Sequence, residues 1–190
     1  MADQALVAQS AFAGWAPRNT TAVAFGVRDD LTIASLAAAK GQTEALSAAI
    51  RTAYGIELPT TPERVASNDI AFIWSGPDQW IAIADRHNNR DLESELKPLL
   101  TGLAAIVDHS DGRAVVRVSG PRARDVLAKG IPIDLHSRVF KSNSVAITHA
   151  SHIGVTLWQI DDNPTYELAL ARSFADSFTH WLDHASAVYR

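Results

Sequence analysis

The 190-residue chain contains no cysteine and a single methionine. The lack of thiols excludes disulfides, thiolate nucleophiles and cysteine-ligated zinc. Neither sign of charge dominates: 17 Lys and Arg stand against 21 Asp and Glu, a formal charge of -4. There is no long basic run, so nucleic acid is not a natural partner. No apolar run is long enough to span a bilayer. Met1 to Thr20 carries Asp3 and no basic leader, so it does not read as a secretory signal, and a cytoplasmic protein is expected. The glycine signatures of dinucleotide cradles, phosphate-binding loops and hydrolase nucleophile elbows are all missing. A chain of this size buries roughly 70% of its unfolded surface and needs no covalent staple.

What is present is patterning, and it is clearest from Val107 to Leu135. His109-Ser110-Asp111-Gly112 is a turn, with Gly112 free to take positive φ. Arg113 to Ser119 then alternates: Ala114, Val116 and Val118 face one way, Arg113, Val115, Arg117 and Ser119 the other. This predicts a strand with one face on the core. Gly120-Pro121 opens a short helix with Ala123, Val126 and Leu127 on its stripe; Gly130 stops it and Pro132 prevents its resumption. A strand, a glycine and a helix start also make a generic anion site, but Pro121 removes an amide donor there, which favours a plain connection.

The rest of the chain follows the same grammar. Residues 1–30 have no clean periodicity and carry Leu6, Val7, Phe12 and Trp15 in an irregular context. They read either as a loosely ordered arm or as an arm lying on a partner, since aromatics without a local core are costly in water. On the second reading, Phe12 and Trp15 are partner-contact candidates, and removing Met1 to Thr20 weakens assembly while sparing the fold. Strands are predicted at Leu31–Ala37, Ile70–Trp74, Trp80–Ala84 and Ala104–Asp108, with helices at Thr43–Tyr54 and after Asp91. Strand, helix, strand, strand, helix, strand is the split βαβ order of ferredoxin-like domains. Beyond 109, three further strands are predicted at Val145–His149, Ile153–Ile160 and Thr165–Ala171. A final helix starts at Ser173, capped by Ser173 and Asp176, and buries Phe174, Phe178, Trp181, Leu182 and Ala185. The expected class is α+β: an arm (1–30), a ferredoxin-like lobe (31–108) and a second α/β lobe (109–190), packed together because no linker separates them. Ser-Gly-Pro occurs at Ser75–Pro77 and Ser119–Pro121, too short a match to establish a repeat.

Chemistry is harder to find. His149 and His152, and His180 and His184, have pairwise spacings compatible with a metal, but nothing nominates further ligands, and His180 and His184 lie opposite the apolar stripe. Asp108, His109, Ser110 and Asp111 supply every member of a hydrolase triad, yet neighbours in one turn cannot form the relay. No catalytic, cofactor-binding or metal residue is assigned. Arg113 and Arg117 share a strand face and are candidates for recognising a carboxylate or an acidic partner; the alternative is an ordinary amphipathic face. Trp74 and Trp80 flank a turn, and at least one is expected in the core.

Three segments also carry a family likeness: Trp74 to Ala84 (WSGPDQWIAIA), Val107 to His136, and Arg172 to Leu182 (RSFADSFTHWL). In this order and spacing they resemble the gamma subunit of heterotetrameric sarcosine oxidase, over roughly Leu58 to Ala185. More distantly, the strand–Ser-Gly-Pro–helix passage is similar to the N-terminal part of folate-dependent aminomethyltransferases, whose folate-binding domain the second lobe would then resemble. The resemblance implies a structural, assembly role rather than a reaction carried by this chain. The family's complex oxidises sarcosine with tetrahydrofolate and oxygen, giving glycine, methylene-tetrahydrofolate and hydrogen peroxide. It implies FAD, FMN, NAD, tetrahydrofolate and zinc on the alpha, beta and delta partners, and no cofactor on this chain. The chain departs from the aminomethyltransferases in ending at Arg190 without their C-terminal barrel, so independent folate transfer is not expected. It carries Ile131 where many family members have cysteine.

Overall fold

The structure, a computed structural model, describes residues 7–17 and 19–189. In chain order its elements are β1 (Ala24–Val27), β2 (Leu31–Ala38), α1 (Thr43–Tyr54), β3 (Arg64–Ala66), β4 (Ala71–Gly76), β5 (Gln79–Asp85), α2 (Leu92–Leu99) and β6 (Ala104–Asp108). They continue as β7 (Arg113–Ser119), α3 (Ala123–Leu127), β8 (Val145–Ala150), β9 (Ile153–Asp161), β10 (Thr165–Ala171) and α4 (Ala175–Ser186). The local signals explain most boundaries. Gly55 ends α1 in the left-handed conformation, its N–H returning to the Arg51 carbonyl. The Asp91 carboxylate accepts the Glu93 and Ser94 amides and starts α2.

Two antiparallel sheets result. The first has the order β3-β4-β5-β2-β6, which is the ferredoxin-like arrangement with β3 added at one edge. The second has the order β8-β9-β10-β7-β1. Read together, the two orders match: β7, β9 and β10 stand where β2, β4 and β5 stand, and β8 takes the place of β3. The position that β6 fills beside β2 is filled beside β7 by β1, which comes from the other end of the chain. The molecule is thus a structural duplication whose second copy borrows its last strand from the N-terminal side. The Ser-Gly-Pro recurrence does not report it, because one copy sits in the β4–β5 turn and the other between β7 and α3.

The sheets stack face to face. Leu31, Ile33, Ile73, Ile81 and Ile83 meet Val115, Val145, Trp158 and Ala169 in the middle layer. The outer face of the first sheet takes α1 and α2 through Leu46, Ile50, Leu92 and Leu96; that of the second takes α3 and α4 through Val126, Leu127, Phe178 and Leu182. The central strands are therefore buried on both faces. This corrects the expectation that β7 has one face on the core: Val115 lies in the middle layer, and Ala114, Val116 and Val118 lie in the outer one.

Residues 8–27 also differ from expectation. Phe12 is 5% exposed and belongs to the core beneath the second sheet with Val23 and Phe25. Half-buried Trp15 stacks between them, its ring centroid 6.0 Å from each phenylalanine ring. These aromatics do have a local core, and the described residues from Ala11 to Val27 pack with the second lobe; Leu6 lies outside the described residues. At the other end, residues 172–174 form a 3₁₀ turn, Phe174 is 50% exposed, and no side chain caps α4, so the Ser173–Asp176 box does not form.

Candidate functional site

The densest polar chemistry lies in the seam between the sheets. β10 (TYELALA) carries one charged residue, Glu167, which is 1% exposed and faces the other sheet. A carboxylate there must be paired. Arg117 donates from Nε and Nη2 to Glu167 Oε1 at 3.0 and 2.7 Å, and Arg28 Nη1 donates to the same oxygen at 2.5 Å. The buried Trp158 indole donates to Oε2 at 3.0 Å. Arg28 also reaches Asp30 Oδ1 at 2.8 Å and, across the seam, Asp85 Oδ1 on β5 at 2.9 Å. Burial opposes the Arg28 charge, but its bonds to Asp30 and Glu167 outweigh this and hold it above the ordinary arginine value.

Arg64 on β3 completes this end of the seam. Its Nη1 donates to Asn143 Oδ1 at 3.3 Å, and its Nε is buried without a partner among the described residues. Burial lowers its pKa, and the charges of Arg117 and Arg28 act in the same direction. Arg28, Arg64, Arg117 and Glu167 surround a cavity of about 150 Å³.

Beyond Arg28 the seam opens into a second cleft, of about 210 Å³, lined by Arg86, Arg113 and Arg172 and roofed by residues 8–10. Arg172 donates from Nη2 to the Gln9 carbonyl. Arg86 has Asp111 at 3.9 Å. The guanidinium of half-buried Arg113 makes no hydrogen bond or ion pair among the described residues, and burial alone pushes its pKa below the ordinary value.

The structure therefore places Arg113 and Arg117 as the alternation predicts, on one face with Val115 between them. That face is the interior seam rather than an outer surface, and the two residues end in different environments. Arg28, Arg64 and Glu167 were not legible as a group, although a lone glutamate in an apolar strand signals a required partner. The triad residue types separate: Ser110 Oγ donates to Asp108 Oδ1 at 2.6 Å and accepts the Ile33 amide at 2.9 Å, whereas His109 Nε2 lies 3.1 Å from Ser35 Oγ. These contacts tie the β6–β7 turn to β2. His180 and His184 are exposed, and no group of three or more His, Asp or Glu gathers around a metal-sized space among the described residues. At Ser119-Gly120-Pro121 the Ala22 carbonyl accepts the Arg122 amide at 2.9 Å, so the chain's own backbone occupies the place of an anion. Trp80 is buried and donates to the Pro59 carbonyl at 2.8 Å; Trp74 opposite it is half-buried. No helix among the described residues is long and apolar enough to cross a membrane.

Two stacked ferredoxin-like sheets with helices outside define a known class. Aminomethyltransferase T of the glycine cleavage system from Bartonella henselae superposes with a TM-score of 0.65 over 86% of this chain and 46% of that one; at 12% identity the likeness is one of fold. A chain of the heterotetrameric sarcosine oxidase from Corynebacterium sp. U-96, solved with pyrrole 2-carboxylate, superposes with a TM-score of 0.78 at 29% identity, covering 90% of this chain and 87% of that one. The profile of the "Sarcosine oxidase, gamma subunit family" matches residues 38–188. A sarcosine oxidase subunit gamma from Arthrobacter sp. is 36% identical over 138 residues, 71% of this chain and 66% of its own length. One from Corynebacterium sp. (strain P-1) is 36% identical over 145 residues, 75% of this chain and 70% of its own. The chain belongs to the sarcosine oxidase gamma subunit family.

Proposed function

We propose that this chain is the structural subunit of a cytoplasmic heterotetrameric complex that oxidatively demethylates sarcosine to glycine, with tetrahydrofolate and oxygen as acceptors and methylene-tetrahydrofolate and hydrogen peroxide as products. The observation that carries this reading is the superposition of 90% of the chain on one chain of a heterotetrameric sarcosine oxidase. On this reading the alpha, beta and delta partners hold FAD, FMN, NAD, tetrahydrofolate and zinc, and this chain holds none. The seam supports it: its interior charges are arginines and a saturated glutamate, with aspartates only at the exposed rim, a set that binds and staples rather than attacking a substrate. The test is affinity purification of the tagged chain from its host grown on sarcosine. Flavin absorbance with two large co-eluting subunits is the expected result; a colourless eluate of this chain alone would overturn it.

The aminomethyltransferase-like fold favours one alternative, a stand-alone folate-binding transferase. Micromolar heat of binding between the purified chain and a reduced folate would select it. A third reading keeps the complex but exchanges sarcosine for another N-methyl amino acid such as N-methylglutamate. Turnover of the purified complex on the two substrates separates them.

A further inference from the structure

The two ends of the seam treat arginine differently. At one end Arg28 and Arg117 meet Glu167, Arg28 also meets Asp30 and Asp85, and Arg64 leans on the Asn143 amide oxygen. At the other, four arginines (28, 86, 113 and 172) and two aspartates (29 and 111) line one cleft. The aspartates stand on its outside. Asp29 is exposed, and the Asp111 side chain is 91% exposed and only 3.9 Å from its nearest arginine. Arg172 spends a guanidinium N–H on a backbone carbonyl, and the Arg113 guanidinium has no partner among the described residues. A half-buried cation without a counter-ion is partly stripped of water, so an anion that reaches it is bound more favourably than on an open surface.

We propose that the cleft between Arg86, Arg113 and Arg172 is a carboxylate-binding site. Guanidinium forks match the planar, bidentate geometry of a carboxylate better than any other anion-binding side chain. A space of about 210 Å³ is below the usual range for whole cofactors and suits a carboxylate with a few carbons behind it. The excess of positive charge inside low-dielectric walls draws an anion in and sharpens its affinity. The carboxylate is either a side chain of a companion subunit or a free small acid. Only the first source rests on the assembly reading above.

Malonate is the probe. The full-length chain is melted in malonate and in sodium chloride of matched ionic strength. Malonate raises the Tm by several degrees, saturating in the millimolar range, where chloride does not. Arg113→Gln melts no lower than the parent without malonate, because it removes an unpaired cation, and its apparent malonate affinity falls at least tenfold. Arg172→Gln, at a more open position, lowers the affinity severalfold and decides the matter should Arg113→Gln fail to fold. A malonate response no larger than that of chloride, or one that both variants retain in full, overturns the proposal. The assembled complex then identifies the source. If a companion carboxylate fills the cleft, malonate no longer stabilises the complex and Arg113→Gln associates about tenfold more weakly. If the acid is free, malonate still protects the complex and association is unchanged. The melts use the chain alone, so the cleft can fail while the assembly reading stands, and the reverse.

Discussion

Arg28 and Glu167, 139 positions apart in sequence, share a hydrogen bond of 2.5 Å in the seam where the two sheets meet. Glu167 belongs to the second sheet, and Arg28 carries its charge on to Asp85 of the first, so one guanidinium links both halves of the duplication. Arg117 supplies the second cation on the same oxygen. The pairing satisfies a buried carboxylate and, because its donors come from separate segments, sets how the sheets align.

Glu167→Gln should therefore cost more than a surface substitution. It removes the charge that Arg28 and Arg117 share, leaving both guanidinium groups without their central partner. A loss of about 3 kcal/mol is expected, the lower end for breaking a buried ion pair from one side. Urea unfolding followed by tryptophan fluorescence measures it; a change below about 1 kcal/mol would mean that the arginines find other partners.

Phe12 tests whether the first residues belong to the fold. The ring sits in the core below the second sheet, so Phe12→Ala should destabilise the isolated chain by about 3 kcal/mol, as large-to-small core changes do. Removing residues 1–20 should lower its melting temperature markedly. A truncated chain that melts like the parent would restore the view that this segment serves only a partner.

Gly120 marks the crossing of the N-terminal segment over the β7–α3 connection. Its φ is +106°, and a Cβ there would stand 2.9 Å from the Ala22 carbonyl oxygen. Gly120→Ala must strain the backbone and push β1 from the sheet edge, a cost of about 1–3 kcal/mol. Faster exchange of the Phe25 and Val27 amides relative to those of β9 is the expected signature. Uniform exchange would show that β1 stays in place.

A pH-dependent contact joins the helices of the first lobe. Glu95 on α2 accepts bidentate bonds from Arg90 at 2.8 Å and a bond from the Tyr54 hydroxyl on α1, also at 2.8 Å. The Arg90 guanidinium, aided by Tyr54, holds the Glu95 carboxyl below the usual carboxylate range despite partial burial. A depressed folded-state value contributes stability above the unfolded pKa and loses it as pH falls through the folded one. Glu95→Gln should thus destabilise the chain at neutral pH, and the difference from the parent should close as pH drops through the acid range. A difference that persists at low pH would assign the effect to packing.

Much of the secondary structure was legible because its causes are local. Thr43–Tyr54 and Thr165–Ala171 appear as read, since the Gly55 stop and the turn at Asp161–Pro164 act within a few residues. The short strands β1 and β3 were not legible. At four and three residues they carry too little periodicity, and they exist because a neighbouring strand offers them an edge. The family likeness rested on runs such as Val107 to His136, where turn, strand and helix signals follow one another without a break.

The sequence by itself determined the four strands and two helices of the first lobe's ferredoxin-like order, the alternation that puts Arg113 and Arg117 on one face, and the family. Tertiary structure decided what that face meets. Periodicity distinguishes the two sides of a strand but is silent on whether a second sheet covers one of them, because sheet stacking joins residues far apart in the chain. For the same reason only the fold could show that Phe12 has a core of its own, that β1 completes the second sheet, and that Arg117 finds Glu167 while Arg113, four residues away, faces an open cleft.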